Sequence, residues 1–173
     1  YLNAIERTGG SFAGEDAYLE GIPAIAGLGL LELHQPVTFL VGENGSGKST
    51  LLEAVALALG FNPEGGSRNF AFSTGLHNYL RLHRGPYRPK DGFFLRAESF
   101  YNVSSEVDRL ANYQPGDGLY QSYGGKSLHH QSHGESFLSL VHHRFWGQGI
   151  YLLDEPEAAL SPARQLTLLA ELH

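Results

Sequence analysis

The order of apolar and polar residues predicts a chain in which strands and helices alternate. Apolar runs, partly rich in β-branched and aromatic residues, predict strands at 1–8, 36–42 and 149–157. Apolar residues at helical spacing predict helices at 49–59 and 134–145, and Gly60 follows the first of them as a stop signal. The apolar stretch 22–33 is compatible with either a helix or a strand. This alternation predicts an α/β core.

The segments between these elements carry weaker patterns. Residues 79–85 and 92–99 flank a turn that contains proline and lysine, which predicts an antiparallel hairpin. Residues 1–8 are expected to form an edge strand. A serine cap predicts a short helix at 104–112. Composition predicts loops at 61–69 and 113–130.

Composition narrows the class of protein. A chain of 173 residues, 42% hydrophobic and 17% charged, is expected to fold as one globular domain over residues 1–173. The absence of cysteine excludes disulfides and thiolate metal sites and is in keeping with a cytoplasmic protein. No apolar run approaches the roughly 20 residues that cross a bilayer, so no direct membrane insertion is expected. The net charge of −6 provides no overall attraction to nucleic acid.

Two features predict that part of the encoded protein lies outside this sequence. There is no methionine, even at position 1. The apolar helical pattern of 163–173 runs to the last residue without a cap or glycine. We therefore expect a C-terminal part beyond residue 173.

Residues 42–50, which we call the phosphate loop, match the pattern G-x-x-x-x-G-K-[ST] between a predicted strand and a predicted helix. Glycines in this pattern let successive backbone N–H groups turn toward phosphate oxygens at a helix N-terminus. Lys48 would reach the β- and γ-phosphates of ATP, and Ser49 would offer its hydroxyl to Mg²⁺. The alternative interpretation is a plain glycine turn. The predicted ATP-binding residues are Gly42, Glu43, Asn44, Gly45, Ser46, Gly47, Lys48, Ser49 and Thr50.

A second group of functional residues follows the predicted strand at 149–157. Asp154 would hold the Mg²⁺, and Glu155 would polarise the attacking water as general base. Pro156 ends the strand and directs the chain into a turn. A solvated acidic pair at a strand end is the alternative. We call Asp154 and Glu155 the acidic strand end.

With "GENGSGKST" and "LLDEPEAALSP" together, the chain resembles the ATP-binding-cassette (ABC) class of P-loop ATPases. It looks like the compact bacterial predicted ATPases of the AAA family and is similar to the heads of chromosome-maintenance ATPases. In this class a signature segment binds the γ-phosphate of ATP held by a partner subunit. Residues 132–135 occupy its place, so the resemblance assigns that role to Ser132, Gly134 and Glu135, while His133 replaces a usual glycine. An ordinary helix cap by Ser132 is the alternative.

The resemblance implies a P-loop NTPase core of mostly parallel sheet flanked by helices, with an antiparallel β element. It implies one ABC-type ATPase domain over 1–173 that ends before the strand bearing the switch histidine. It also implies a homodimer in which ATP closes two heads and hydrolysis releases them. The γ-phosphate-sensing glutamine of the class has no match, and Glu98 or Ser99 is the nearest candidate. Ser161 stands where the class has an aspartate in a turn at the dimer interface.

Three functions remain open at this stage. The first is a soluble ATP-driven switch in DNA maintenance or in defence against foreign DNA. The second is the nucleotide-binding subunit of a membrane transporter, and the third is a nucleotide sensor that does not hydrolyse ATP. The departures in the signature segment and the missing glutamine favour the first, and Glu155 argues against the third.

Three other features are weighed against simpler interpretations. His129 and His133 have the spacing of a zinc site, but no ligand set completes one, so the nearby histidines are taken as surface polarity. Tyr18 stands where some cassette ATPases stack an aromatic ring on adenine, although an ordinary tyrosine is the simpler interpretation. Basic and aromatic residues at 68–70 and 79–90 suggest a nucleic-acid surface or, more simply, a solvated hairpin.

Overall fold

The computed structural model describes residues 1–62, 75–97, 100, 104–105, 109, 132–145 and 147–172. These residues form two compact units, the first holding those up to residue 89 and the second those from residue 90 onward. The expectation of a single domain over 1–173 stays a prediction.

The first unit contains a three-stranded antiparallel sheet with the N-terminal strand at its centre. Strand β1 (Leu2–Arg7) pairs on one side with β2 (Leu30–Glu32) and on the other with β3 (Leu80–Arg84). The prediction that residues 1–8 form an edge strand is therefore wrong. Both edges of β1 are occupied because its partners come from segments far along the chain, which local pattern does not reveal.

Helices supply most of the buried apolar residues of the first unit. Their bounds are a 3₁₀ helix at Gly14–Gly21, α1 at Pro23–Ala26, α2 at Lys48–Leu59 and a second 3₁₀ helix at Gly75–Tyr79. The ambiguous stretch 22–33 thus contains a short helix and then a strand. Helix α2 ends at Gly60, whose φ of 88° is a left-handed value that glycine adopts without strain. Its buried residues are Leu51, Ala54, Val55 and Ala56.

The second unit is built on two parallel strands. Strands β4 (Asp91–Arg96) and β5 (Gly149–Asp154) pair in register from Asp91 opposite Gly149 to Arg96 opposite Asp154. Helix α3 (His133–Arg144), a 3₁₀ helix (Pro156–Ala159) and helix α4 (Pro162–Glu171) complete the unit. Apolar side chains from these elements form one core: Phe93, Leu95, Phe100, Phe137, Leu140, Val141, Leu160 and Leu168. The parallel register brings the last residues of both strands to the same edge of the sheet.

Two predicted β elements are absent from the described residues. Residues 36–42 have the composition of a strand, but neither sheet includes them, and Phe39 and Val41 are 65% and 91% exposed. A strand is defined by hydrogen bonds to a neighbour, and composition alone does not supply that neighbour. The hairpin predicted from 79–85 and 92–99 is also wrong, because β3 pairs with β1 and β4 pairs with β5.

The observed architecture is mixed α/β, with an antiparallel sheet and a parallel pair, and is compatible with a P-loop type of core. The antiparallel element predicted by resemblance is present as β2-β1-β3. The described residues do not form the mostly parallel sheet that the resemblance implies, because two of their three strand pairings are antiparallel. Most of the predicted helix at 104–112 and the predicted loops at 61–69 and 113–130 lie outside the described residues. Within the described part of the chain, every helix is too short or too polar to cross a membrane.

Candidate functional site

The phosphate loop curls tightly before helix α2 begins. Gly45 and Gly47 have φ values of 78° and 102°, in the left-handed region that side chains with a Cβ disfavour. The N–H of Ser46 donates to the carbonyl of Glu43 at 3.2 Å, which closes a turn inside the loop. Helix α2 starts at Lys48, and its first backbone bond runs from Leu51 to Gly47. Amides of this kind at a helix N-terminus attract an anion.

Lys48 folds back across the loop. Its Nζ donates to the carbonyl oxygens of Gly42 and Glu43, both at 2.8 Å. These bonds use two of the three N–H donors of an ammonium group. The side chain therefore links the first helical residue to the start of the loop and holds a positive charge beside the loop carbonyls.

Gly47 also fits the loop against helix α1. A Cβ at this position would collide with Cγ2 of Ile22 and would contact Ala24 at 3.4 Å. The N–H of Ala24 donates to the carbonyl of Ser46 at 3.0 Å. Glycine is thus required at 47 for backbone conformation and for space, which explains why the pattern needs it there.

The acidic strand end contains two carboxyl groups in different surroundings. Asp154 is the last residue of β5 and is 5% exposed, and its Oδ2 accepts a hydrogen bond from Nε of Arg96 at 3.0 Å. Glu155 is exposed and has φ 50° and ψ 45°. Glu155 is the one non-glycine residue in the described ranges with a positive φ. The chain turns sharply at this residue and carries its carboxylate to the surface.

The donor chemistry of these residues fits Mg²⁺. The ion prefers oxygen ligands, usually one or two protein groups with water and phosphate completing the shell. Among the residues that the sequence predicts as metal ligands, Ser49 carries a hydroxyl and Asp154 carries a carboxylate. The guanidinium of Arg96 beside Asp154 is a cation that already neutralises this carboxylate.

The signature segment forms the start of helix α3. Ser132 is the residue that precedes the helix, and its N–H and Oγ–H both donate to Oε2 of Glu135, at 3.0 and 2.6 Å. Arg164 of helix α4 donates to Oγ of Ser132 at 3.3 Å and to Oε1 of Glu135 at 3.0 Å. Gly134 is buried in the first turn. The structure thus places Ser132 in the helix cap, and the role of the segment toward phosphate stays a prediction.

The bonds from Ser132 lower the pKa of Glu135. The hydroxyl of Ser132 contributes most, its backbone N–H follows, and the charge of Arg164 adds to both, because each stabilises the ionised carboxylate. The segment therefore presents a carboxylate and a hydroxyl that lie within hydrogen-bonding distance of each other and of the Arg164 guanidinium of helix α4.

Arg96 and Arg164 are the residues that sequence reasoning missed. Arg96 lies two residues before Glu98, a candidate for the phosphate sensor, but its relation to Asp154 depends on the parallel register of β4 and β5. Arg164 contacts a helix that begins about thirty residues earlier, and the sequence carries no spacing signal for that contact. Glu98 and Ser99, the sensor candidates, lie outside the described residues.

The remaining candidates have local explanations where they are described. His142 contacts Glu171 at 3.1 Å and His143 contacts the carbonyl of Ser139 at 2.8 Å, while His129 lies outside the described residues. Across the described ranges no group of three or more histidine or acidic side chains is placed to hold a metal ion.

Part of the proposed basic surface is already neutralised. Arg81 and His83 both contact Oε2 of Glu6 across the sheet, at 3.4 and 2.8 Å. These contacts favour the interpretation of 79–90 as a solvated surface. Tyr18 is half-exposed, and burial of its hydroxyl together with the charges of Asp16 and Glu53 raises its pKa. Its role beside adenine stays a prediction.

Comparison with known proteins gives one match. A family model described as AAA domain matches residues 18–109, more than half of the chain. The match includes the phosphate loop, β3 and β4, and it ends before the signature segment and the acidic strand end. Neither the curated proteins nor the solved structures gave a match.

Proposed function

The chain belongs to the AAA domain family, and from this premise we propose that it is an ABC-type, Mg²⁺-dependent ATP hydrolase. Membership of the family supports nucleotide binding and is consistent with ATPase activity in general. The finer assignment combines that membership with the residues of the acidic strand end and the signature segment. We propose that ATP binding closes two copies of the chain and that hydrolysis releases them.

The observation that carries the proposal is the geometry of the phosphate loop. Two left-handed glycines, a helix that starts at Lys48, and an ammonium group folded over the loop form an anion-binding arrangement. A plain glycine turn needs neither the lysine nor the close fit of Gly47 against Ile22. In the proposed function the loop amides and Lys48 hold the β- and γ-phosphates of ATP.

Each unit contributes distinct roles. Ser49 and Asp154 would hold Mg²⁺, which when bound neutralises charge on the phosphates. Glu155 would accept a proton from the attacking water as its general base. Its left-handed backbone and its exposed side chain support this role, because the carboxylate is turned outward where water has access. Ser132, Gly134 and Glu135 would approach the γ-phosphate bound by a second copy.

The biological setting that we propose is a soluble switch in DNA maintenance or defence. Departures from the ABC pattern at His133 and Ser161 support this over a transporter subunit. ATP-dependent DNA binding, measured against co-purification with a membrane partner, separates the two settings.

The test of hydrolysis is the variant Glu155→Gln. It retains the shape of the side chain but loses the base, so we expect the rate of ATP hydrolysis to fall by about 10²–10⁴-fold while ATP affinity is kept. Glu157→Gln, on the adjoining 3₁₀ helix, is the matched control and should keep the parental rate. A Glu155→Gln protein that hydrolyses ATP at the parental rate would contradict the assignment. A parent protein that binds ATP without turnover would favour the sensor.

A further inference from the structure

A buried ion pair occupies the carboxylate that is predicted to hold the metal. Nε of Arg96 lies 3.0 Å from Oδ2 of Asp154, and the two side chains are 21% and 6% exposed. The pair joins the last residues of β4 and β5, which lie opposite each other in the parallel register. The strand pairing is continued by the N–H of Ala97, which donates to the carbonyl of Asp154 at 3.2 Å. Arg96 is therefore fixed against Asp154 by the sheet itself.

This pair has a clear electrostatic consequence. A buried carboxylate without a partner is strongly destabilising, so the guanidinium stabilises the unit while no other cation is present. A divalent ion on the same carboxylate would face a positive charge about one hydrogen bond away. The two cations would compete for one carboxylate, since the Nε–H bond already occupies lone-pair space on Oδ2.

From this geometry we propose that Arg96 is a positioning residue that competes with Mg²⁺ for Asp154. The guanidinium holds the carboxylate in place until the metal arrives and must give up its Nε–H bond for the metal to bind. This inference rests on the proposed function, because it takes Asp154 as the metal ligand. It adds a residue that lies outside the motifs. It also means that the ion pair at the ends of β4 and β5 helps to set the Mg²⁺ concentration at which Asp154 binds the ion.

The experiment is a Mg²⁺ titration of the melting temperature of the whole chain, without nucleotide. In Arg96→Gln the competitor is gone, so half of the Mg²⁺-dependent rise should occur at a roughly tenfold or more lower concentration than in the parent. Arg144→Gln is the matched control. Arg144 pairs with Asp91 at 3.3 Å, at the other end of the same strand, so its loss should leave the Mg²⁺ midpoint unchanged.

Two further variants keep the result decisive. Arg96→Lys keeps the charge but loses the Nε–H bond, so its midpoint should lie between those of the parent and Arg96→Gln; it also serves if Arg96→Gln does not fold. The double variant Arg96→Gln, Asp154→Asn should lose the rise. Equal midpoints in the parent, Arg96→Lys and Arg96→Gln would overturn the proposal. So would a rise that survives in the double variant, or a folded Arg96→Gln protein whose melting temperature does not rise with Mg²⁺.

The same proteins separate this proposal from the proposed function. ATP affinity measured with EDTA depends on the phosphate loop and not on Arg96. A parent without ATP affinity would contradict the proposed function whatever the Mg²⁺ midpoints are. A parent that binds ATP, with midpoints that do not depend on residue 96, would contradict the role of Arg96 alone.

Discussion

Glu155 combines an unusual backbone with a predicted chemical role. A residue with a Cβ in the left-handed region costs about 1 kcal/mol or more relative to ordinary conformations. At Glu155 this conformation joins β5 to a 3₁₀ helix that starts with Pro156, whose ring prevents a simple continuation of the strand. Glycine would make the same turn with less strain. The presence of glutamate is therefore better explained by its carboxylate than by the turn.

This view predicts opposite effects of two glycine substitutions on stability. Glu155→Gly should raise the free energy of unfolding by up to about 1 kcal/mol, since it removes the left-handed strain. Glu157→Gly, inside the 3₁₀ helix, should lower it, because glycine adds flexibility where no left-handed residue is required. Urea unfolding of both variants measures the difference. A Glu155→Gly protein less stable than the parent would mean that the carboxylate has a structural function.

Helices α3 and α4 are joined by polar contacts at the signature segment. Arg164 of α4 reaches both Ser132 and Glu135, which form the start of α3. Apolar contacts support the same pairing, since Phe137 and Leu140 share a core with Leu168. The segment assigned to phosphate binding is thus tied to the helix that follows the acidic strand end. Arg164 therefore links the start of α3 to the first turn of α4.

These contacts predict a pH dependence of stability. The pKa of Glu135 in the folded chain lies below its ordinary value of 4.5, so its bonds stabilise the fold fully above pH 4.5. That stabilisation is lost as the pH falls through the lowered pKa. Unfolding free energies measured from pH 6 down to pH 3 should therefore fall less steeply on the acid side in Glu135→Gln than in the parent.

The partner variant tests the cause of this effect. Arg164→Gln removes one of the groups that lower the pKa of Glu135. Its unfolding free energy should therefore fall between pH 6 and pH 3 by an amount between those of the parent and Glu135→Gln. If the unfolding free energies of the parent and Glu135→Gln fall equally between pH 6 and pH 3, the bonds from Ser132 do not persist in solution.

The elements differ in how well the sequence predicts them. Helices 48–59 and 133–144 and strand 149–154 were predicted within a few residues, because their signals are local: apolar spacing, Gly60 and Pro156. The glycine curl of the phosphate loop and the helix after it were also predicted, since these residues are contiguous, but the strand expected before the loop is not formed. The role of the loop toward phosphate stays a prediction. Pairing was not predicted, because β1, β3, β4 and β5 find partners remote in sequence. The contact of Arg96 with Asp154 depends on that pairing and so escaped prediction as well.

Across the whole chain, the residues with predicted functional roles are divided between the two units. The phosphate loop belongs to the first, and the acidic strand end and the signature segment belong to the second. In the proposed function ATP binding also recruits a second copy of the chain. Oligomeric state is therefore the property of the whole molecule that the proposal predicts.

Glu155→Gln should accumulate as a dimer when ATP is present. Hydrolysis is what releases the closed pair in the proposal, and this variant binds ATP without turning it over. Light scattering should give twice the chain mass of 18.9 kDa with ATP and Mg²⁺, and the single mass without them. The double variant Lys48→Ala, Glu155→Gln should stay monomeric. A single mass for Glu155→Gln with saturating ATP would contradict ATP-driven dimerisation.

The most direct test of the account is the ATP affinity of Lys48→Ala, measured by calorimetry. Lys90→Ala, which removes an exposed lysine outside the phosphate loop, is the matched control, and circular dichroism verifies that both variants fold. Because Lys48 links the loop and supplies its positive charge, its loss should weaken ATP binding by roughly tenfold or more. Lys90→Ala should bind as the parent does. ATP affinity that is unchanged in a folded Lys48→Ala protein would contradict the central claim that residues 42–50 hold the phosphates.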